Sequence, residues 1–485
     1  MNLNKLVMAI LNLNQILFSM LDHKLIQQGM MKKVESQMYK SIVEDNDKDL
    51  DAVKKKKYDW SIALLHRALM NINKGYISRY VLKNLSNSFL GGAFHSDKAA
   101  YRSFSDEYKL KYGVKPPSFL VISPTQRCNL KCSNCYACSD AKTTPHLSYE
   151  VFDRIVGDFR NNAEGRFVVI SGGEPLMYRD GEKTLMNIFE KYNDVFFMFY
   201  TNGTLIDEEV ADRLQKTANA VPAISVEGYE KETDERRGNG VYKHILKAFD
   251  LLRKKGVPFV VSVTTTSANT PLLLSDDFYK FYFDEQGASF MWQFQLMPIG
   301  RGKSAFEMVP SPADRLKLYR KWEQMLKKDY PIADFWNSGT LVNGCIAYGR
   351  SGGYVYIDWN GDVMPCVFVP YTMDNVNRLY TENKPLRTAL QSSLMVNGRN
   401  WQDKTQHDDP KHAENLLMPC SIRDHYQNFR SNILTDESHG TDVEADAILK
   451  DKEYYDHMVM YDKELEKLTK EVWQNEFLRS EEVAP

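Results

Sequence analysis

Cysteine is scarce in this chain: seven residues in 485, and none in the first quarter. That is too few for a disulfide framework. Four of the seven nevertheless crowd into Cys128–Cys138, a density that reads as a metal site in a reducing compartment and points to the cytosol. A surplus of either charge is also missing. Lysine and arginine number 62 against 64 acidic residues, for a net charge of −2, so no bulk basic field exists to recruit nucleic acid. Long hydrophobic runs are lacking too. The N-terminus has apolar residues near helical spacing, but asparagines interrupt them and the longest pure run there is Leu6–Leu11. A spanning helix needs about 20 mostly apolar residues, and no small-residue cleavage site follows that would suit a secretory signal. Residues 1–24 therefore read as a helix packed on the core or on a second subunit. An interfacial helix making peripheral membrane contact is the sharper alternative.

What is present describes an ordinary globular protein, 43% hydrophobic and 26% charged, with length for roughly three units. Residues 25–58 are polar and end in the run Lys54–Lys57, which reads as a solvated surface. Helical spacing returns from Trp60 to Leu90, and Pro116–Pro117 closes this helical extension. Beyond it, strand candidates Phe119–Ile122, Phe167–Ile170, Val195–Tyr200, Ala223–Val226, Phe259–Thr264 and Phe290–Leu296 alternate with helix patterns. Phe152, Ile155, Val156 and Phe159 share one helix face, and Asp207 caps another helix. Such alternation implies a parallel sheet of right-handed βαβ units. A complete eight-unit barrel takes about 250 residues, or about 31 per unit. Pro117–Gly302 holds six strand candidates in 186 residues, the same ratio. The fold class is therefore α/β, a partial (β/α)6 TIM-like barrel.

Chemistry in these folds gathers at the carboxyl ends of the strands. The first strand leads into Cys128, Cys132 and Cys135, spaced C-x3-C-x2-C. The second leads into Ser171–Gly172–Gly173–Glu174–Pro175, the third into Thr201–Asn202–Gly203–Thr204, and the fourth into Glu227–Gly228. The sixth leads into Met297–Gly302. Three thiolates can hold three corners of a cubane cluster and leave one iron open, whereas an electron-transfer cluster takes four cysteines. Gly172 and Gly173 permit close backbone approach, and Glu174 offers an acceptor. Arg301 reads equally as a carboxylate partner or a structural arginine. Cys138 would complete a four-thiolate zinc pattern, but zinc explains none of the other loops, so Cys138 is read as a non-ligand thiol.

This combination resembles the radical S-adenosylmethionine (radical SAM) family. The resemblance implies a 4Fe–4S cluster on Cys128, Cys132 and Cys135, with SAM held by Gly172, Gly173 and Glu174 and met by Asn202, Ser225 and Glu227. It implies reductive cleavage of SAM to a 5′-deoxyadenosyl radical that abstracts hydrogen, and a low-potential ferredoxin or flavodoxin as electron donor. Asp234–Gly240 also resembles a loop of family members. No specific catalytic side chain is assigned.

Beyond residue 340 the pattern turns antiparallel: Tyr354–Trp359 and Asp362–Val369 flank Asn360–Gly361, a strong hairpin signal. With Cys345 before the hairpin, Cys366 on it and Cys420 beyond, this stretch resembles a SPASM or twitch extension. That implies one auxiliary iron–sulfur cluster on Cys345, Cys366 and Cys420; buried thiols in a C-terminal cap are the alternative. The expected organisation is a helical N-terminal extension over 1–115, the partial barrel over 116–310, a small β-hairpin and helical auxiliary-cluster region over 311–430, and a helical segment over 431–485. Peptide or protein and lipid-like substrates stand level, with a small metabolite third. A non-catalytic iron–sulfur, zinc-binding or electron-transfer protein is the alternative of a different class.

Overall fold

The computed structural model describes residues 24–89, 98–407 and 409–479. The expected helix over residues 1–24 lies almost wholly outside them. Among the described residues, no helix is long and apolar enough to cross a membrane.

All six expected strands form, as β1 (Phe119–Ile122), β2 (Phe167–Ile170), β3 (Phe196–Thr201), β4 (Ala220–Val226), β5 (Val260–Thr265) and β6 (Met291–Gln295). β1, β2 and β3 carry apolar residues on both sides, Val, Ile and Leu or Phe and Met, as a sheet covered on both faces requires. Two further strands run parallel with them. β7 (Ile332–Asp334) pairs with β6, and β8 (Tyr354–Ile357) pairs with β1 in the register Phe119 to Tyr354. The hairpin strand β9 (Asp362–Met364) and then β10 (Asp374–Asn375) follow antiparallel outside β8. The C-terminal hairpin thus continues the barrel's own sheet. The order is β10-β9-β8-β1-β2-β3-β4-β5-β6-β7, an open arrangement.

Aromatic rings close the floor of the barrel. Phe119 stacks on Phe167 and on Tyr354 at 5.2 and 5.0 Å, and Phe167 meets Phe196 at 5.3 Å. Higher in the lumen, Tyr200 meets Phe294, Phe294 meets Phe335, and Phe335 meets Phe368, at 5.7, 5.3 and 5.8 Å. Such ring pairs add about 0.5–1.5 kcal/mol each beyond their buried area.

The N-terminal extension packs as helices, including Lys24–Tyr39 and Asp51–Asn73. Its lysine run is not the wet surface expected. Lys57 is buried and reaches Asp49 at 2.9 Å and Asn343 at 2.6 Å, while Lys56 pairs with Glu323. A helix face three to four residues wide buries part of any run of like charges, and long-range carboxylates and amides supply the partners. Trp60 from the same helix donates to the Ile332 carbonyl at 3.1 Å, covering the edge that β7 would otherwise expose.

Candidate active site

The cysteine loop leaves β1 and lies back to back with the loop after β2. Gly173 N–H donates to Thr125 O and Glu174 N–H to Arg127 O, both at 2.9 Å. A Cβ on Gly172 would stand 2.5 Å from Thr125 O, and one on Gly173 would stand 2.3 Å from Gln126 O and Arg127 O. The close approach that these glycines permit in the fold is thus to the cysteine loop's own backbone.

Glu174 is fully buried. Its Oε1 accepts from Leu176 N–H at 3.1 Å and Thr201 Oγ1 at 2.8 Å, and its Oε2 accepts from Asn202 N–H at 2.8 Å. Burial pushes its carboxyl up to about 7 against those donors. A carboxylate has about four acceptor positions, so one stays open for a cationic group. Asn202 ties the third strand-end loop to the first: its Nδ2 donates to Asn129 Oδ1 at 2.8 Å and lies 3.9 Å from Cys128 Sγ. Burial pushes the Cys128 thiol up to about 12, and a bound cation would reverse that.

Glu227, 1% exposed, meets two arginines. Arg236 pairs with its Oε1, and Arg237 reaches the same oxygen through Nε at 2.8 Å. Glu227 Oε2 is buried with no protein partner, an acceptor left over for a ligand donor. Arg237 also feels the charges of Cys132 and Cys135, and Ser133 N–H donates to Arg236 O at 3.0 Å. The two arginines therefore join the site, which the sequence reading did not assign; their place in the Asp234–Gly240 loop was the available signal. Ser225 sits on β4 opposite Ser262 and is half-buried.

Arg301 resolves to a structural role with a functional address. Its Nε donates to Cys132 O at 3.1 Å, its Nη2 to Ser139 O at 2.8 Å, and its backbone N–H to Cys135 O at 3.0 Å. Among the described residues, no three His, Cys, Asp or Glu side chains gather as a single metal ion would need. A cubane binds each thiolate on a separate iron, so it does not require the gathering that a single metal ion needs.

Residues 122–269 match the family model of the radical SAM superfamily. The chain is a radical SAM enzyme. It is 29% identical over 269 residues to the mycofactocin maturase MftC of Mycobacterium ulcerans, covering 54% of this chain and 71% of that protein. It is 26% identical over 326 residues to the cysteine-type anaerobic sulfatase-maturating enzyme of Clostridium novyi, covering 61% and 84%. In fold it resembles SuiB of Streptococcus suis bound to S-adenosylmethionine, with a TM-score of 0.50, 19% identity, and coverage of 66% of this chain and 75% of that one. The activity of this radical SAM enzyme is radical cleavage of SAM.

The enzyme's second cysteine group lies beside the lumen. Cys345, Cys366 and Cys420 are each raised by burial first, and Cys420 also by the charges of Cys345 and Cys366. Their loops are cross-tied. Gln406 Oε1 accepts from Cys345 N–H at 2.7 Å while its Nε2 donates to Pro419 O at 3.1 Å. Gln402 Nε2 donates to Cys345 O at 3.0 Å. Asp424 Oδ2 accepts from Cys420 N–H at 3.0 Å and pairs with Arg315, both side chains about fully buried. Residues 400–415 are rich in polar side chains. The helix Ser393–Gln402 and the turn Asp403–His407 nevertheless bury these glutamines against Cys345. The two cysteine groups meet through one ring pair: Tyr136, next to Cys135, lies 6.0 Å from Phe368, two residues past Cys366.

Proposed function

We propose that this radical SAM enzyme modifies a side chain of a peptide or protein, with a 4Fe–4S cluster on Cys128, Cys132 and Cys135 and an auxiliary iron–sulfur cluster on Cys345, Cys366 and Cys420. The observation that carries this reading is the Tyr136–Phe368 contact, because it sets two cysteine triads against one aromatic lumen. Two relatives bear the name maturase or maturating enzyme, one of them for sulfatases, which favours a polypeptide substrate over a lipid. A low-potential ferredoxin or flavodoxin supplies the electron.

Cys128, Cys132 and Cys135 would hold the first cluster, which when bound and reduced would supply the electron for splitting SAM into methionine and a 5′-deoxyadenosyl radical able to take hydrogen from the substrate. The chain's own residues do the rest. Glu174 keeps an acceptor for the ammonium group of SAM, and Glu227 Oε2 keeps one for a hydroxyl donor. Arg236 and Arg237 offset the negative charge of the loop around Cys132. Tyr200, Phe294, Phe335 and Phe368 line the lumen with rings and exclude water from it.

Anaerobic reconstitution followed by iron and sulfide assay tests the cluster count. About eight irons per chain agree with two clusters, and about four mean that the second cysteine group holds none. Peptide pools should then stimulate 5′-deoxyadenosine release above the level with buffer. Stimulation by phospholipid vesicles and not by peptides would reverse the substrate assignment.

A further inference from the structure

The sulfur of Cys366 has a built environment. The Tyr354 hydroxyl lies 2.9 Å from Cys366 Sγ, and Phe368 N–H donates to the same sulfur at 3.4 Å. Tyr354 is held on all sides. It is 2% exposed, its ring stacks on Phe119 at 5.0 Å, its N–H donates to Ile346 O at 2.9 Å, and it stands in register with Phe119 on the sheet. The hydroxyl is therefore aimed before any cluster forms, and no side-chain entropy is spent in aiming it.

We propose that Tyr354 is a potential-setting residue of the auxiliary cluster, its O–H donating to the Cys366 thiolate. This inference rests on the proposal above that Cys345, Cys366 and Cys420 hold a cluster. A cysteine thiolate accepts and cannot donate, so in the clustered protein the tyrosine must be the donor. On reduction the cluster takes up one electron and no proton, and the added negative charge is shared among its sulfurs. The phenol keeps its proton throughout. A fixed O–H dipole stabilises the more negative state more, and in a buried setting it acts at low dielectric. The midpoint potential is therefore higher with Tyr354 than without it. Cys366 is also the ligand nearest in sequence to Phe368, whose ring meets Tyr136, so Tyr354 acts on the side of the auxiliary site that faces the SAM-cleaving loop.

The test uses the full chain with Cys128, Cys132 and Cys135 all replaced by alanine, so that only the auxiliary cluster contributes signal. Mediated titration with dithionite, followed by electron paramagnetic resonance, reads its midpoint. Tyr354→Phe keeps the ring on Phe119 and should move the midpoint downward. 3-Fluorotyrosine placed at position 354 is a stronger donor of the same shape and should move it upward, which keeps the test open if Tyr354→Phe does not fold. Bound iron with a midpoint unmoved by these changes overturns the role of Tyr354 and leaves the cluster assignment standing. No bound iron in the alanine background overturns the cluster assignment and this inference with it.

Discussion

Arg301 Nε donates to the backbone carbonyl of Cys132 across 3.1 Å, from a loop 169 residues further along the chain. With its bonds to Ser139 O and Cys135 O, it fastens the loop after β6 to the cysteine loop after β1. Hydrogen bonds from a charged donor contribute about 1.5–3 kcal/mol each. Arg301→Ala should roughly halve the iron retained after anaerobic gel filtration and cut 5′-deoxyadenosine release about ten-fold, equivalent to ~1.4 kcal/mol. Gly300→Ala should act in the same direction, since its φ is +56° and its Cβ would stand 2.2 Å from Tyr136 O. Unchanged iron content and release in both variants would remove Arg301 from the site.

The N-terminal extension carries a titratable clasp. His66 Nδ1 meets Asp329 at 2.8 Å and its Nε2 meets Glu35 at 2.9 Å. The hydrogen bond to Asp329, then that to Glu35, lift its pKa from the ordinary 6.5 to about 9. A raised folded pKa gives stability that is complete below about 6.5 and lost as pH rises through about 9. Partial exposure to solvent keeps the contribution small. Thermal melts of the wild type should fall between pH 7 and 9 more steeply than those of His66→Gln; parallel profiles would refute the clasp.

Asp462 behaves in the opposite chemical sense with the same sign. Burial lifts its carboxyl to about 8. Its Oδ2 accepts from Tyr426 N–H at 2.6 Å, and its Oδ1 is buried without a partner. The folded state therefore holds a proton that the unfolded chain has released above about pH 4, and stability declines as pH rises from there to about 8. Asp462→Asn keeps the acceptor and should raise the melting temperature above pH 7, with little change near pH 4. A variant less stable at every pH would contradict this.

The barrel was legible because its signals are local and repeated. β1, β2 and β3 are short, mostly apolar runs, each followed by a loop of glycine or polar residues, and the cysteine spacing stands in one of those loops. β7 escaped because Ile332–Asp334 is only three residues long; its place is set by pairing with β6, which no local pattern carries. The burial of Lys57 and Gln406 is hidden from local pattern for a related reason. Each is polar in a polar stretch, and each is held by a partner far along the chain, Asn343 for one and Cys345 for the other. Arg236 and Arg237 stood in a loop already noted, but only the fold brings them onto Glu227.

In the proposed function the loop carrying Cys128, Cys132 and Cys135 cleaves SAM, and the group of Cys345, Cys366 and Cys420 is separate from that step. The direct measurement is 5′-deoxyadenosine formed from SAM and dithionite by anaerobically reconstituted protein. Wild type and Cys420→Ala should both form it, and Cys132→Ala should form none. Equal release by Cys132→Ala and wild type, or no release by wild type, would contradict the account.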